Sequence, residues 1–287
     1  MPIEEPLFRP PAEAGSIIVQ AARGCPYNRC LFCGMYKFVR YREQELSEIK
    51  SQIEEAAAEC PDAMRAFIAD SDAMALPAEK LAETLRLLKA AFPKMARVSV
   101  YARGNSILAK SENELSLLKS LGLSILYMGL ESGDEELLRL VNKGERAEQM
   151  IEAAKKAQAS GLKMSVTAIL GLGGRERSAE HVTATTLALN KMKPELLSFL
   201  KLVCFKELPM HKGFTEQTEH GSIAELRQIV AGLDLNGTVL RANHASLPYP
   251  LGGRLPKDRD KLTLQLDRLL NSYMLDRCGP GPAPLEL

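Results

Sequence analysis

The sequence predicts an α/β fold, a partial (βα)6 TIM-like barrel with a small α-rich C-terminal extension. Six short, β-rich apolar segments recur along the chain, and each precedes a loop and then an amphipathic helix. Strands that alternate with helices in this way are typical of parallel βαβ units. The segments are almost continuously apolar, which indicates a sheet covered by helices on at least one face.

The predicted strands begin at six points in the chain. They are SIIVQAA from Ser16, RAFIAD from Arg65, RVSVYA from Arg97, ILYMG from Ile125, MSVTAILG from Met164 and LLSFLKLV from Leu196. The helices between them carry apolar residues at helical spacing, such as Leu81 and Leu85. Ser111 with Glu114 forms a capping box at a helix start, and Gly161 ends the helix before the fifth strand.

After the sixth strand the regular alternation ends. We expect a helix over about 222–233, a short strand near Val239 and a last helix over about 256–275. The predicted organisation is an extended N-terminal arm over 1–15, the (βα)6 core over 16–204 and an extension packed on the core over 205–278. A disordered tail over 279–287 completes it.

Composition and charge narrow the class of protein. The 287 residues are 46% hydrophobic and 25% charged, which is ordinary for a globular protein, and the formal net charge is +1. A pI of about 7.6 disfavours nucleic acid as a partner, because domains that bind it are usually strongly basic. The acidic, proline-rich start lacks a signal-peptide pattern, and no apolar run approaches the roughly 18 residues of a membrane span. We therefore expect a cytoplasmic protein without a membrane segment.

Three cysteines lie close together in GCPYNRCLFCGMY, which begins at Gly24 just after the first predicted strand. In the cytoplasm, cysteines are metal ligands, catalytic thiols or buried small residues before they are disulfides. The thiolates of Cys25, Cys30 and Cys33 can converge on one centre, and soft thiolates favour an iron–sulfur cluster or zinc. A closed zinc site wants a fourth Cys or His nearby. The nearest histidine in sequence is His181, which disfavours zinc.

The cysteine loop resembles the signature of the radical S-adenosylmethionine (SAM) superfamily. Its spacing, C-x4-C-x2-C, is one residue longer in the first gap than that superfamily's usual C-x3-C-x2-C. The resemblance implies a 4Fe-4S cluster on the three cysteines, with SAM bound to the open iron. It also implies that Phe32, directly before the last cysteine, lies against the adenine. Reduction of the cluster would cleave SAM, and the resulting 5′-deoxyadenosyl radical would abstract hydrogen from a substrate.

The loops after the second and third strands carry polar residues where function gathers in such barrels. Ser71 and Asp72 follow the second strand, where the superfamily binds the amino group of SAM, although its Gly-Gly-Glu stretch is missing here. The Asp72 carboxylate is a natural partner for an ammonium group, and the alternative is a helix cap before Pro77. Arg103, after the third strand, could bind a carboxylate of SAM or substrate, or form a surface ion pair.

The segment GLESG over 129–133, after the fourth strand, resembles the ribose-binding segment of one large branch of the superfamily. This resemblance assigns hydroxyl contacts to Glu131 and Ser132 and close backbone approach to the glycines. The alternative is an ordinary helix start. After the fifth strand, ILGLGG resembles the turn that flanks adenine, with Ile169 packing on the base and Gly171 in the turn. It is not a Walker loop, because no Lys-Ser/Thr follows the glycines.

The sixth strand, LLSFLKLVC, supplies two candidates for substrate chemistry. Residues alternate sides along a strand, so Lys201 and Cys204 cannot both point inward without a bulge. A lysine against the helical layer is costly, so we predict Lys201 inward, beside Phe199 and Val203, holding a substrate carboxylate or phosphate. The alternatives are Cys204 inward as a hydrogen donor to a product radical, or a Lys201 that snorkels out at the strand end.

These residues predict a radical SAM enzyme that acts on a small or medium organic substrate and takes electrons from a donor such as flavodoxin or ferredoxin. The alternative is a non-catalytic or redox protein that binds zinc or an iron–sulfur centre through the same cysteines. The other cysteines, Cys60, Cys204 and Cys278, are too scattered to hold a second cluster.

Overall fold

The computed structural model describes residues 6–205, 207, 210–247 and 249–282. The chain forms two compact units. The first contains Met1–Asn28, Met35–Met128 and Glu152–Met164, and the second contains Arg29–Gly34, Gly129–Ile151 and Ser165–Leu287.

The first unit is built on parallel strands. In chain order its strands are β1 (Ile17–Gln20), β2 (Ala22–Arg23), β3 (Arg42–Glu43), β4 (Arg65–Ala69), β5 (Arg97–Tyr101) and β6 (Leu123–Glu131), which passes into the second unit at Gly129. Strands β1, β4, β5 and β6 pair in that order and are all parallel, while β2 and β3 form a separate antiparallel pair. The loops after β1, β4 and β5 therefore leave from the same edge.

The helices of the first unit follow the predicted apolar spacing. They are α1 (Leu46–Glu59), α2 (Ala78–Ala91), α3 (Gly104–Leu108) and α4 (Glu112–Ser120). Helix α2 packs on α1 and α4, and it buries Leu81 and Leu85 as predicted. The capping box forms at α4, where Ser111 and Glu114 each accept the other's backbone N–H.

The second unit continues the alternation and ends in the C-terminal extension. Its elements are α5 (Glu135–Leu140), α6 (Ala147–Ala159), β7 (Lys163–Leu170), α7 (Ser178–Met192), β8 (Leu196–Lys201), α8 (Glu219–Gly232), β9 (Val239–Ala242), β10 (Leu251–Arg254) and α9 (Arg259–Leu270); α6 and β7 extend partly into the first unit. The strands pair in the order β7, β8, β9, β10, and only β10 is antiparallel to its neighbour. Within the described ranges, no helix has an apolar stretch long enough to cross a bilayer.

The predicted elements form. All six predicted strand segments are strands, and the predicted helix, strand and helix of the extension are α8, β9 and α9. The α/β class with a mostly parallel sheet is therefore confirmed. The β2–β3 pair and β10 were not predicted: β2 and β3 have two residues each, too few for a period to show, and β10 contains Gly252 and Gly253, a residue type that is depleted in strands.

The N-terminal arm is anchored, which differs from the extended arm predicted over 1–15. Pro11–Glu13 forms one turn of 3-10 helix, and Glu13 is fully buried. The Glu13 carboxylate accepts hydrogen bonds from Ser16 at 2.5 Å, Tyr127 at 2.6 Å and Arg97 at 2.9 Å. A buried carboxylate needs such partners, so this arm is part of the first unit's packing. Residues 1–5 lie outside the described part of the chain.

The predicted disordered tail over 279–287 is wrong for its first residues. The carbonyl of Gly279 accepts the amide N–H of Glu219 at 2.9 Å. The carbonyl of Pro280 accepts the amino group of Lys201 at 2.5 Å. These bonds fix the backbone against α8 and β8, while 283–287 lie outside the described residues.

Candidate functional site

The loop after β1 carries the clustered cysteines, and Asp70 in the loop after β4 anchors it on both sides. One carboxylate oxygen of Asp70 accepts the amide N–H of Gly24 at 3.0 Å and the side-chain N–H of Gln20 at 3.3 Å. The other oxygen accepts the phenol of Tyr36. Burial raises the pKa of Asp70, against the hydrogen bonds from Tyr36, Gly24 and Gln20. Since Gly24 and Tyr36 flank the cysteines in the chain, Asp70 holds both the entry and the exit of their loop.

Ser71 and Asp72, the predicted partners of the SAM amino group, both bond to neighbouring loops. The Ser71 hydroxyl donates to the carbonyl of Gly24 at 2.9 Å. The buried Asp72 carboxylate accepts the amide N–H of Arg103 at 3.1 Å and the hydroxyl of Ser106 at 2.5 Å. Asp72 therefore holds the start of α3, whereas the predicted alternative was a cap before Pro77. A carboxylate has further lone pairs, so its contact with SAM stays a prediction.

Arg103 lies over an aromatic ring of the cysteine loop. Its guanidinium is 4.1 Å from the centroid of the Tyr27 ring, a cation–π distance. The next residue, Asn28, has a left-handed backbone with φ of 45°. Its N–H donates to the sulfur of Cys25 at 3.3 Å, and its side-chain amide donates to the Tyr36 carbonyl at 2.6 Å. The chain after Cys25 thus turns sharply and directs a backbone donor at that sulfur.

In the second unit, Cys30 lies beside the segment that follows α5. The amide of Leu31 donates to the carbonyl of Val141 at 2.9 Å, and the thiol of Cys30 is 3.9 Å from the carbonyl of Lys143. None of the six cysteines forms a disulfide, and the three clustered ones are partly exposed.

Glu131, the last residue of β6, forms a buried ion pair with Lys143. The amino group of Lys143 lies 2.9 Å from Oε1 of Glu131, and the two side chains are only 8% and 11% exposed. Burial opposes the charge of Lys143, yet Glu131, Cys30 and Glu145 raise the pKa of its amino group. The Glu131 backbone is left-handed, with φ of 60°, and its carboxylate folds back over Gly129, where any Cβ would collide with it. A side chain at position 129 would therefore displace the Glu131 carboxylate from its present position.

The Ser132 hydroxyl bonds within the protein, and its predicted contact with the ribose stays a prediction. Ser132 is fully buried, its oxygen is 2.8 Å from Nδ1 of His181, and it accepts the amide N–H of Asp134 at 3.0 Å. At Gly133, a Cβ would collide with the carbonyl of Ala184 in α7. This glycine thus allows the close approach of a helix, whereas we predicted approach to a ligand.

Phe32 and Ile169, the two residues predicted to contact adenine, lie against one apolar cluster. The cluster consists of Leu137, Val141, Leu172 and Leu202, with Met210 and Phe214 packed on it as well. Phe32 and Ile169 are both partly buried, so each retains exposed apolar surface. Next to Ile169, the turn at Gly171 has φ of 76°, and its N–H donates to Glu225 at 2.6 Å.

Lys201, predicted as an inward substrate ligand, bonds within the protein on the face of β8 opposite to that of Ile169, and its contact with a substrate stays a prediction. In the parallel pair of β7 and β8, Lys201 lies opposite Leu170, so it shares a face with Leu170 and not with Ile169. Its amino group donates to the carbonyl of Pro280 at 2.5 Å. Phe199 is buried on the same face, as predicted. Lys201 therefore fastens the C-terminal segment to β8.

Cys204 follows β8 and is exposed. Partial desolvation, and then the neighbouring Glu216, raise the pKa of its thiol to about 12. The group therefore keeps its S–H bond at neutral pH. Its assignment as a hydrogen donor stays a prediction.

A comparison with known families decides the class of the protein, because the model of the radical SAM superfamily matches residues 19–184. The chain belongs to the radical SAM superfamily. The match covers more than half of the chain and includes the cysteine loop, Glu131 and Ile169. Members of this superfamily use a 4Fe-4S cluster and SAM, so both are cofactors of this protein. No curated protein matches the sequence.

Several solved structures share the fold. Methylornithine synthase (PylB) has a TM-score of 0.57 and 15% identity, over 88% of this chain and 68% of that one. The methyltransferase TsrM from Kitasatospora setae has a TM-score of 0.55 and 24% identity, over 69% of this chain and 38% of that one. Coproporphyrinogen III oxidase (HemN) from Escherichia coli has a TM-score of 0.52 and 16% identity, over 89% of this chain and 52% of that one. These likenesses confirm the predicted partial (βα)6 barrel class; the chain spans under two thirds of the last two proteins.

The donor set suits an iron–sulfur cluster. Three partly exposed thiols within one short radical SAM loop supply soft ligands, and Asn28 adds a hydrogen bond to one sulfur. In the part of the chain that the structure describes, no three His, Cys, Asp or Glu side chains are placed to surround a single metal ion. Ligands of a four-iron cluster bind different irons, so their sulfurs need not meet around one ion.

Four residues that bond to the loops and turns of the predicted site were not singled out from the sequence: Asp70, Lys143, His181 and Glu225. Asp70 stands beside Asp72 in the sequence, and nothing in the sequence distinguishes the role of one carboxylate from that of the other. Buried and exposed lysines look alike in a sequence, so Lys143 could not be distinguished from its charged neighbours. His181 and Glu225 lie in amphipathic helices, where polar residues normally indicate the solvent face.

Proposed function

We propose that this protein is a radical SAM enzyme whose cluster is bound by Cys25, Cys30 and Cys33. The observation that carries the proposal is the family match over a cysteine loop that Asp70 anchors on both sides. When bound, the cluster supplies the electron that cleaves SAM, and the 5′-deoxyadenosyl radical abstracts hydrogen from a small or medium organic substrate.

The chain's own residues bind and orient the cofactor in this proposal. Phe32 and Ile169, which pack on one apolar cluster, offer the adenine an apolar surface. Glu131 accepts hydrogen bonds from the ribose hydroxyls, and Lys143 orients that carboxylate and balances its charge. Asp72 pairs with the ammonium group of SAM.

We also propose that a small redox protein, such as flavodoxin or ferredoxin, supplies the electron. Residues just after the cysteines support this, because Phe38 is 91% exposed and lies between Lys37 and Arg40. An exposed aromatic side chain among cations is typical of a surface that binds a partner of opposite charge.

The decisive experiment is anaerobic reconstitution followed by reduction. We expect about four irons per chain, and release of 5′-deoxyadenosine from SAM on addition of dithionite. Replacement of Cys25, Cys30 or Cys33 by Ala should abolish that release. Cys60→Ala is the matched control, because Cys60 is exposed at the end of α1 and should be dispensable. Zinc in place of iron, with no cleavage of SAM, would favour the non-catalytic metal-binding alternative.

A further inference from the structure

A buried polar pair lies behind the two loops of the second unit that are proposed to bind SAM. His181 in α7 and Glu225 in α8 are 0% and 1% exposed, and Nε2 of His181 is 4.0 Å from Oε2 of Glu225. Neither residue belongs to the proposed cofactor contacts. Burying two titratable groups is costly unless they are bonded, so their partners indicate what the pair does.

The imidazole of His181 faces the loop after β6. Its Nδ1 lies 2.8 Å from the Ser132 hydroxyl and 3.3 Å from the Thr185 hydroxyl. Both hydroxyl oxygens already accept backbone N–H groups, from Asp134 and Gly133 respectively. Their own protons are therefore available to Nδ1, which acts as the acceptor and leaves the ring proton on Nε2. That nitrogen is buried, and besides the two hydroxyls the ring faces the backbone of Ile169, which raises the pKa of the ring, and the carboxylate of Glu225.

The carboxylate of Glu225 faces the turn after β7. Its Oε2 accepts the N–H of Gly171 at 2.6 Å, and its Oε1 accepts the hydroxyl of Ser178 at 2.6 Å. Nε2 of His181 stands 4.0 Å from Oε2, about 1 Å beyond hydrogen-bond distance, so the two side chains are packed against each other without a hydrogen bond between them. One pair of side chains consequently links the loop that holds Ser132 to the turn that holds Gly171.

We propose that His181 and Glu225 are positioning residues that hold the loop after β6 and the turn after β7 in one arrangement, and so set the affinity for SAM. The inference rests on the proposed function, because it takes Glu131 and Ile169 as cofactor contacts. Ser132 directly follows Glu131, and Gly171 lies two residues beyond Ile169. A shift of the buried pair therefore displaces both contacts, although neither member touches SAM.

The charge of Glu225 decides how firmly the turn is held. An ionised carboxylate accepts hydrogen bonds about twice as strongly as a neutral group, and protonation turns one acceptor oxygen into a donor. Burial raises the pKa of Glu225 to about 7, against hydrogen bonds from Ser178, Gly171 and Gln217. Glu225 therefore ionises as the pH rises through neutrality, and the affinity for SAM should rise with it.

The groups around His181 do not titrate in the same range. Burial lowers the pKa of His181 to about 4, against Asp134 and the backbone of Ile169, so the imidazole is neutral near pH 7. Asp134 is itself paired with Arg177, 2.7 Å away. The pH dependence near neutrality is accordingly assigned to Glu225.

The test measures SAM binding to the cluster-reconstituted protein by isothermal titration between pH 6 and pH 8.5. We expect the wild-type affinity to rise about three- to tenfold over this range, the difference between neutral and charge-assisted hydrogen bonds. Glu225→Gln should bind at the low-pH level throughout, because a glutamine resembles the protonated carboxyl. Hydrogen exchange of the Gly171 amide in the SAM-free protein should also be faster in this variant.

The matched control is Glu219→Gln, another buried carboxylate of α8, which bonds to the amide of Asp276 at 2.9 Å. It should keep both the affinity and the pH dependence of the wild type. A flat wild-type profile, which needs no variant, overturns the inference, and so does a Glu225→Gln protein with the wild-type profile. A wild type that neither binds nor cleaves SAM contradicts the proposed function, whereas normal binding that is insensitive to Glu225 contradicts this inference alone.

Discussion

Two regions of the second unit contain the same kinds of residue and use them differently. Around the loop after β6, a buried lysine, Lys143, pairs with the carboxylate of Glu131, and Ser132 bonds to the imidazole of His181. These four residues adjoin or belong to the proposed SAM contacts. In this loop the positive charge of the buried lysine is therefore balanced by the negative charge of a carboxylate.

At the end of β8 there is again a buried lysine and a serine–histidine hydrogen bond. Lys201 donates to the carbonyl of Pro280, and its backbone N–H donates to the Ser246 hydroxyl at 2.9 Å. Nδ1 of His244 lies 2.9 Å from the same hydroxyl. Here the hydrogen-bond partner of the ammonium group is a neutral carbonyl. Hydrogen bonds from backbone N–H groups, and then the charge of Lys201, lower the pKa of Asp276, but no carboxylate of the described residues lies within ion-pair distance of that ammonium group.

The difference shows that the effect of removing a buried lysine on stability depends on the group that the lysine contacts. If the lysine of an ion pair is removed, a buried carboxylate remains without compensation, which is expensive. If the lysine of a carbonyl contact is removed, the structure loses one hydrogen bond, and the carbonyl remains. The two regions should therefore respond very differently to the same substitution.

The largest expected effect is that of Lys143→Met. It should destabilise the protein by about 3–5 kcal/mol, because the Glu131 carboxylate is left buried and unpaired. Urea unfolding of the wild type and the variant measures the difference. Lys143→Arg, which keeps the charge, should lower the free energy of unfolding much less. If Lys143→Met lowered the free energy of unfolding as little as Lys201→Met does, the two regions would not differ in the way proposed.

The two regions should also differ in how much their histidines, His181 and His244, make the stability of the protein depend on pH. Burial lowers the pKa of His181 from 6.5 to about 4, so the unfolded chain takes up this proton first as the pH falls. Stability should therefore be lost between pH 6.5 and pH 4, by about 3 kcal/mol at the lower end. The measurement is urea unfolding across this range, with the wild type compared with His181→Asn.

The matched variant is His244→Asn. Burial also lowers the pKa of His244, but this residue is only partly buried. We expect His244→Asn to alter the pH dependence of the free energy of unfolding less than His181→Asn does. Equal changes in the two variants would argue that both histidines experience the same environment.

The smallest effect should be that of Lys201→Met. Loss of the hydrogen bond to Pro280 should cost about 1 kcal/mol, and amide exchange in the C-terminal segment should become faster. Cleavage of SAM should continue, because Lys201 is on the face opposite Ile169. A variant that folds normally but no longer cleaves SAM would restore Lys201 to the candidate site.

The amino-acid sequence by itself determined the α/β class, the order of the six strands and the position of the cysteine loop. Each of these depends on local patterns, because apolar periodicity and short spacings are properties of neighbouring residues. The resemblance to the radical SAM superfamily singled out Phe32, Glu131 and Ile169; the structure places Glu131 at the end of β6 and Ile169 within β7. The family match then included all of them.

The tertiary structure alone decided which side chains are available to a ligand and which are occupied by the protein. Ser132 turns inward to His181, Lys201 reaches Pro280, and Lys143 finds Glu131. These partners lie 49, 79 and 12 residues apart in the chain, and no local pattern encodes such pairings. The physical reason is that the cost of burying a polar group is met by whichever partner the fold brings near, and strand register, not composition, selects that partner.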